Sequence, residues 1–203
     1  MGIDIHAHYV TPKAIEKVRK NPGMYGVKLE STSDGKEYFV FSYGEKIRPL
    51  FQSLLDLERR KQNMIQQGMT HKILSTWPDL FGYAQPLEEG IKWHRLLNES
   101  LADDLSEVGD FFSGMASVPL QDANAAAREL EFAVSKLGFN SVMIASNVVG
   151  MDLDHPSLNP FWQEAVQLDV PVVIHPLNVA GEERVNRFYT RAALGYPYDT
   201  TIA

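Results

Sequence analysis

Cysteine is absent from all 203 residues. That excludes disulfide staples, a thiol nucleophile and cysteine-ligated zinc. An excess of positive charge is missing too. Nineteen Lys and Arg against 26 Asp and Glu leave a formal net charge of −7 with no basic stripe, so nucleic acid is not an expected partner. No apolar run is long enough to span a membrane. No signal-peptide pattern precedes the first apolar run, and the cytoplasm is the simplest compartment. A glycine-rich phosphate loop after that run is also lacking, which removes the usual reason to expect a dinucleotide-binding open sheet. What remains is ordinary globular material, 44% hydrophobic and 22% charged, enough for one domain with a sizeable core.

The chain alternates short apolar runs with amphipathic segments. Strands are expected near residues 2–8, 71–76, 111–118, 139–146 and 171–176. Helices are expected between them. Thr11 and Pro12 open a short one. The segment from Leu50 to Gln67 reads as a second, with Leu50, Leu54, Leu57, Met64 and Ile65 on one face. A long helix carries Leu87, Ile91, Leu97, Leu101, Leu105 and Val108 on one side. Asp122 caps another, and Leu158–Leu168 forms the last. Residues 26–44 differ: two strand-like runs flank Ser33-Asp34-Gly35, which predicts a β-hairpin inserted after the first strand, placed to act as a lid. Repeated parallel βα units with apolar strands predict an α/β barrel.

Six histidines are present. His6 and His8 alternate on one strand, so they share a face with Cα atoms about 6.5–7 Å apart. Two imidazoles so placed can converge on one metal, with bonds of about 2.0–2.1 Å for zinc. His175 ends the fifth predicted strand. In α/β barrels that end carries the active site. Three neutral imidazoles make a first shell for a divalent ion and leave positions open for water or substrate. His71 and His94 are expected to be structural, at the bottom of the second strand and within a helix. His155 is expected to cap or pack a turn. Asp4 is expected to orient neighbouring groups from the interior.

The opening IDIHAHYVTP, the segment LDHPSLNPFWQEAVQLDVPVVIHP and the ending GYPYDTTIA resemble the amidohydrolase superfamily. More narrowly they resemble its amidohydrolase-2 branch of aminocarboxymuconate-semialdehyde and aromatic-acid decarboxylases. The resemblance implies a metal-dependent (β/α)8 barrel in which His6, His8 and His175 hold one divalent ion, zinc or manganese. It implies nonoxidative decarboxylation of a small unsaturated or aromatic carboxylic acid, and a homodimer. Without a lysine near Val142–Ser146, no carbamylated dinuclear centre is implied. The family's proton-transferring histidine and metal-binding aspartate are expected beyond Ala203, so residues 1–203 read as a single, incomplete barrel domain from a protein of roughly 300 residues.

Substrate contacts are expected from residues just past strand ends. These are Trp77, Asn147, Leu177 and Asn178, together with Arg48 after the hairpin. Trp77 reads equally as lid packing and Arg48 as a solvated surface arginine. Leu177 stands where the namesake decarboxylase has tryptophan, so a different substrate is expected. A metal-dependent hydrolase of a lactone, ester or amide is the competing activity, and an inactive binding or assembly fragment is the third reading.

Overall fold

A computed structural model describes residues 2–177, 179 and 181–203. The chain runs as β1 (Gly2–Tyr9), α1 (Pro12–Lys20), β2 (Val27–Ser31), β3 (Glu37–Phe41), α2 (Leu57–Gln66), β4 (Met69–Thr76) and α3 (Leu87–Val108). It continues as β5 (Phe112–Gly114), α4 (Ala123–Leu137), β6 (Val142–Ala145), α5 (Asn159–Gln167), β7 (Val172–His175), α6 (Glu182–Val185) and α7 (Tyr196–Ile202). The five expected strands are β1, β4, β5, β6 and β7. They lie side by side in chain order, all parallel. The ladder is continuous from β1 to β5 and from β6 to β7. Between those pieces, among the described residues, one parallel bridge, Ala116 to Val142, makes the join.

Helix boundaries follow their caps. The Thr11 hydroxyl accepts from the Ala14 amide at 2.8 Å, and the Asp122 carboxylate accepts from the Ala125 amide at 2.8 Å. The helix expected over residues 50–67 begins later, at Leu57. Asp56 is its N-cap, accepting from the Arg59 amide at 2.9 Å. A capped start is a sharper boundary than hydrophobic spacing, because it satisfies an amide that the first turn leaves unpaired. Leu50 and Leu54 lie outside α2, packed into the smaller of two cores together with hairpin residues Val27, Phe39 and Phe41. Ile65, expected to face inward, is exposed. Likewise, Leu87 and Ile91 are exposed at the start of α3, and Trp93, Leu96, Leu97 and Leu101 are buried instead.

Two cores result. The larger lies between the five strands and α3, α4 and α5, and β6 is buried along its whole length. Gly114 on β5 is tightly enclosed there: a Cβ would come within 2.7 Å of the Phe139 ring and 3.1 Å of Leu101. The second core joins α1, the β2–β3 hairpin and the start of α3. Phe39 and Phe41 meet Trp93 edge-on, at centroid distances of 5.5 and 6.2 Å, and the Trp93 Nε1 donates to the Leu80 carbonyl at 2.7 Å. The hairpin is thus anchored to the body by aromatic packing. Only its exit, residues 43–48, reaches the smaller cavity described below.

The strands at the two flanks are not covered on both faces. Ile3 and Ile5 on β1 are 62% and 59% exposed, and Ile174 on β7 is also exposed. β1 and β7 are the flanking strands of the set, with one pairing partner each among the described residues. No helix among the described residues is long and apolar enough to cross a membrane.

His94 is fully buried in α3, with Nδ1 2.8 Å from the Ser117 hydroxyl. Among the described residues its Nε2 has no hydrogen-bond partner. Burial holds its pKa down at about 3, against an ordinary 6.5. The folded state therefore keeps His94 neutral while the unfolded chain protonates it below about pH 6.5. Stability from this group is complete above about pH 6.5 and is lost as pH falls toward about 3, at up to about 1.4 kcal/mol per pH unit. Urea titrations between pH 7 and 4 should show this slope in the wild type and a flatter one in His94→Gln. Gly114→Ala should cost about 1–3 kcal/mol by the same measurement, since the added methyl meets a packed ring.

Candidate metal centre

β1 alternates its side chains, and the structure brings His6 and His8 to the same face near its C-terminal end. His175, the last residue of β7, comes to meet them. The three imidazoles offer nitrogens that all lie within 4.8 Å of one another. Ring centroids are 4.8 Å apart for His6–His8, 5.3 Å for His6–His175 and 4.9 Å for His8–His175. The Nε2 atoms of His6 and His8 approach to 3.1 Å. Two nitrogens bound to one tetrahedral zinc at about 2.0–2.1 Å would sit about 3.4 Å apart, so the pair is spaced for a shared ion.

Each histidine is fixed from behind. The Asp4 carboxylate accepts from the His6 amide at 3.0 Å and pairs with the Lys72 ammonium at 2.9 Å. Burial alone would raise the Asp4 pKa; Lys72 and the His6 amide outweigh it and hold the carboxyl below its ordinary value. Asp4 thus orients its neighbour, as expected. His8 pairs in register with Ser75 on β4, and its Nδ1 lies 3.1 Å from the Ser75 hydroxyl. Arg60 on α2 donates to the His8 carbonyl at 2.8 Å and to the Ser53 carbonyl at 2.6 Å. His175 Nδ1 lies 2.9 Å from the Pro176 carbonyl. A carbonyl can only accept, so the His175 proton sits on Nδ1 and Nε2 presents a bare lone pair.

Burial, reinforced by the charges of His175 and His6, pushes the His8 pKa down to about 3. Burial also lowers that of His175. Both are therefore neutral at ordinary pH, the form in which imidazole ligates a metal. The donor set suits zinc and neighbouring divalent first-row ions.

His6 and His8 line a cavity of about 510 Å³ together with Asp4, Arg59, Arg60 and Lys72. A second cavity, of about 370 Å³, has none of the three histidines in its lining. Its lining includes Tyr43, Arg48, Asp79, Tyr83, Leu177, Arg191 and Tyr196. Arg48 and Leu177 are among its lining residues. Arg48 grips Asp79 through Nε and Nη2, both at 2.8 Å, and lies 4.9 Å over the Trp77 ring. Trp77 is only 3% exposed and also meets Phe51, so it forms a floor beneath Arg48 and not a surface open to solvent. Asn147 is buried; it donates to the Leu177 carbonyl at 2.9 Å and accepts from the Gly150 amide at 2.9 Å. Asn178 lies outside the described residues.

The remaining histidines take structural places. His71 bridges the Asp110 carbonyl and the Ser113 hydroxyl, each at 3.0 Å, and His155 accepts from the Ser157 amide at 3.2 Å in a turn. Sequence reasoning missed Ser75, Arg60, Asp79 and Tyr196. Ser75 was within reach, because aligning the ends of two parallel strands sets it beside His8. Arg60 was hidden in a charged helical run that reads as a solvated face.

An amidohydrolase family model matches residues 3–201, and the chain belongs to this family, in its amidohydrolase-2 branch. Among curated relatives, the 2-amino-3-carboxymuconate-6-semialdehyde decarboxylase of Dictyostelium discoideum is 30% identical over 204 residues, covering 100% of this chain and 56% of its own. The gamma-resorcylate decarboxylase of Rhodococcus jostii (strain RHA1) is 29% identical over 163 residues, covering 76% of this chain and 49% of its own. The chain thus spans about half the length of the curated relatives it matches. The fold is similar to that of a dihydroxybenzoic acid decarboxylase from Polaromonas sp. JS666, solved with manganese and the inhibitor 2-nitroresorcinol. That likeness has a TM-score of 0.70 at 23% identity, over 98% of this chain and 57% of that one.

The tautomer assignment is open to direct measurement. Long-range ¹H–¹⁵N NMR of the metal-free protein near pH 7.5 should show His175 as the Nδ1–H form with an unprotonated Nε2. An Nε2–H signal for His175 would contradict the geometry.

Proposed function

We propose that this chain belongs to a metal-dependent nonoxidative decarboxylase acting on a small aromatic or unsaturated carboxylic acid. The observation that carries the proposal is the meeting of His6, His8 and His175, from opposite ends of the chain, with ligand nitrogens all within 4.8 Å of one another. The names of the curated relatives support the reaction type.

In this reading His6, His8 and His175 hold one divalent ion. Zinc suits three imidazoles, and manganese is the ion of the Polaromonas structure. When bound, the ion supplies Lewis acidity and a template for the substrate carboxylate or an adjacent oxygen. The protein residues do the rest of the positioning. Arg48 offers a planar fork suited to a carboxylate. Its present partner, Asp79, does not bar that role. The Arg48 side chain is 69% exposed, and an exposed pair of this kind contributes only about 0–1 kcal/mol, which a substrate carboxylate can offset. Trp77 beneath the guanidinium keeps it facing the smaller cavity. Leu177 supplies an apolar wall, with Tyr43, Tyr83 and Tyr196 around it, suited to a flat unsaturated body. The cavity volume of about 370 Å³ fits a small acid. No residue of this chain is assigned as donor of the proton to the carbon that loses carbon dioxide.

Metal analysis tests the ligand set. The purified protein should carry about one divalent ion per chain, and His6→Ala, His8→Ala and His175→Ala should each lose most of it. Equal metal content in all four would sink the assignment. Elemental analysis of the same samples decides between zinc and manganese. For the reaction, a panel of hydroxybenzoic and unsaturated dicarboxylic acids should release carbon dioxide with the complete gene product. Arg48→Met should raise KM at least tenfold, the loss of one charge-assisted hydrogen bond of about 1.5–3 kcal/mol. Acid release from lactones or esters without carbon dioxide would point to a hydrolase instead.

A further inference from the structure

Ser146 and Asp199 are both buried, and neither belongs to the histidine cluster. Ser146 follows β6 and Asp199 sits on α7. The Ser146 amide donates to the His175 carbonyl at 2.9 Å. The Ser146 hydroxyl donates to the Asp199 carboxylate. A carboxylate can only accept, so the direction of that bond is settled. The lone pairs left on Oγ accept from the Leu177 amide at 3.2 Å.

The Leu177 amide belongs to the same peptide unit as the Pro176 carbonyl, and that carbonyl receives the His175 Nδ1–H at 2.9 Å. A peptide unit is planar, and turning its N–H turns its C=O with it. A chain of orientation therefore runs from Asp199 through Ser146 to the 176–177 peptide plane and on to the His175 ring. Ser146 also grips the His175 carbonyl, so one serine holds the backbone on both sides of the histidine. Asn147 reinforces the arrangement by donating to the Leu177 carbonyl at 2.9 Å.

We propose that Asp199, acting through Ser146, is a positioning residue for His175: it sets the peptide plane that keeps the proton on Nδ1 and aims Nε2 at the other two histidines. The proposal rests on His175 being a metal ligand. Outer partners of ligating histidines commonly change metal affinity 10- to 100-fold when removed.

Cobalt(II) is the probe, titrated into the full chain and followed by its visible absorption and by competition with a chromophoric chelator. Circular dichroism and Tm serve as controls for folding. Ser146→Ala, which deletes one oxygen atom, should weaken cobalt binding about 10- to 100-fold. The NMR signature of His175 in the metal-free variant should move from pure Nδ1–H to a mixture of tautomers. Asp199→Ala should do the same. Asp199→Asn keeps an oxygen to accept the Ser146 proton and should recover most of the loss, whereas Asp199→Leu, which fills the space without an acceptor, should not. Should Ser146→Ala not fold, Ser146→Cys, close in shape but a weak donor and acceptor, carries the same expectation. Wild-type cobalt affinity together with an unchanged His175 tautomer in a folded Ser146 variant overturns the proposal. Failure of the wild type itself to bind cobalt would instead overturn the metal reading. The tautomer of His175 in the Ser146 variants would then decide the positioning role alone.

Discussion

The parallel ladder between β1 and β4 sets His8 opposite Ser75 and Tyr9 opposite Thr76. Side chains alternate along a strand, so a slip of one residue would turn His6 and His8 away from the interior and bring Ala7 in. That register is held by what lies on the outer face. Ala7 and Tyr9 are buried in the main core, and Leu74 of β4 is buried beside them. Apolar burial behind the strand therefore determines which polar groups appear in front of it. The histidine cluster depends on hydrophobic packing that never touches it.

Three histidines are immobilised by three unlike devices. An aspartate takes the backbone amide of His6, a serine and an arginine take the ring and carbonyl of His8, and a prolyl carbonyl takes the ring of His175. Each device acts from a separate element, so none can substitute for another. Burial does a second job for His8 and His175, keeping both neutral where solvent would leave them partly protonated. Shape and protonation state are thus prepared together, which is what a preorganised ligand set requires.

Much of this could be read from the sequence. The five parallel strands, the hairpin, the Thr11 and Asp122 caps and the convergence of His6, His8 and His175 follow from period, turn chemistry and strand-end position. What escaped was decided by distant packing. Hydrophobic spacing carried the second helix back to Leu50, because Leu50 and Leu54 are apolar at helical intervals; they are apolar to cover the hairpin instead. Arg48 was legible as a candidate but not its seat, since Asp79 and Trp77 come from the next βα unit. Asp199 lay within the family-like GYPYDTTIA ending, yet nothing local tells that its partner is Ser146, more than fifty residues earlier. Local patterns report elements; partners across the fold need the fold.

Among the described residues, the strand hydrogen bonds that join the sheet at its middle are those of Ala116, whose amide donates to the Ser141 carbonyl and whose carbonyl accepts from the Met143 amide. His6 and His8 ride on one side of that seam and His175 on the other. The aperture between them is therefore not governed by a broad ladder of hydrogen bonds. It is governed by α4, which packs against both α3 and α5 and spans the seam from behind. One apolar core runs across the seam, with α4 residues packed into it, so side-chain packing more than strand hydrogen bonding holds His175 against His6 and His8.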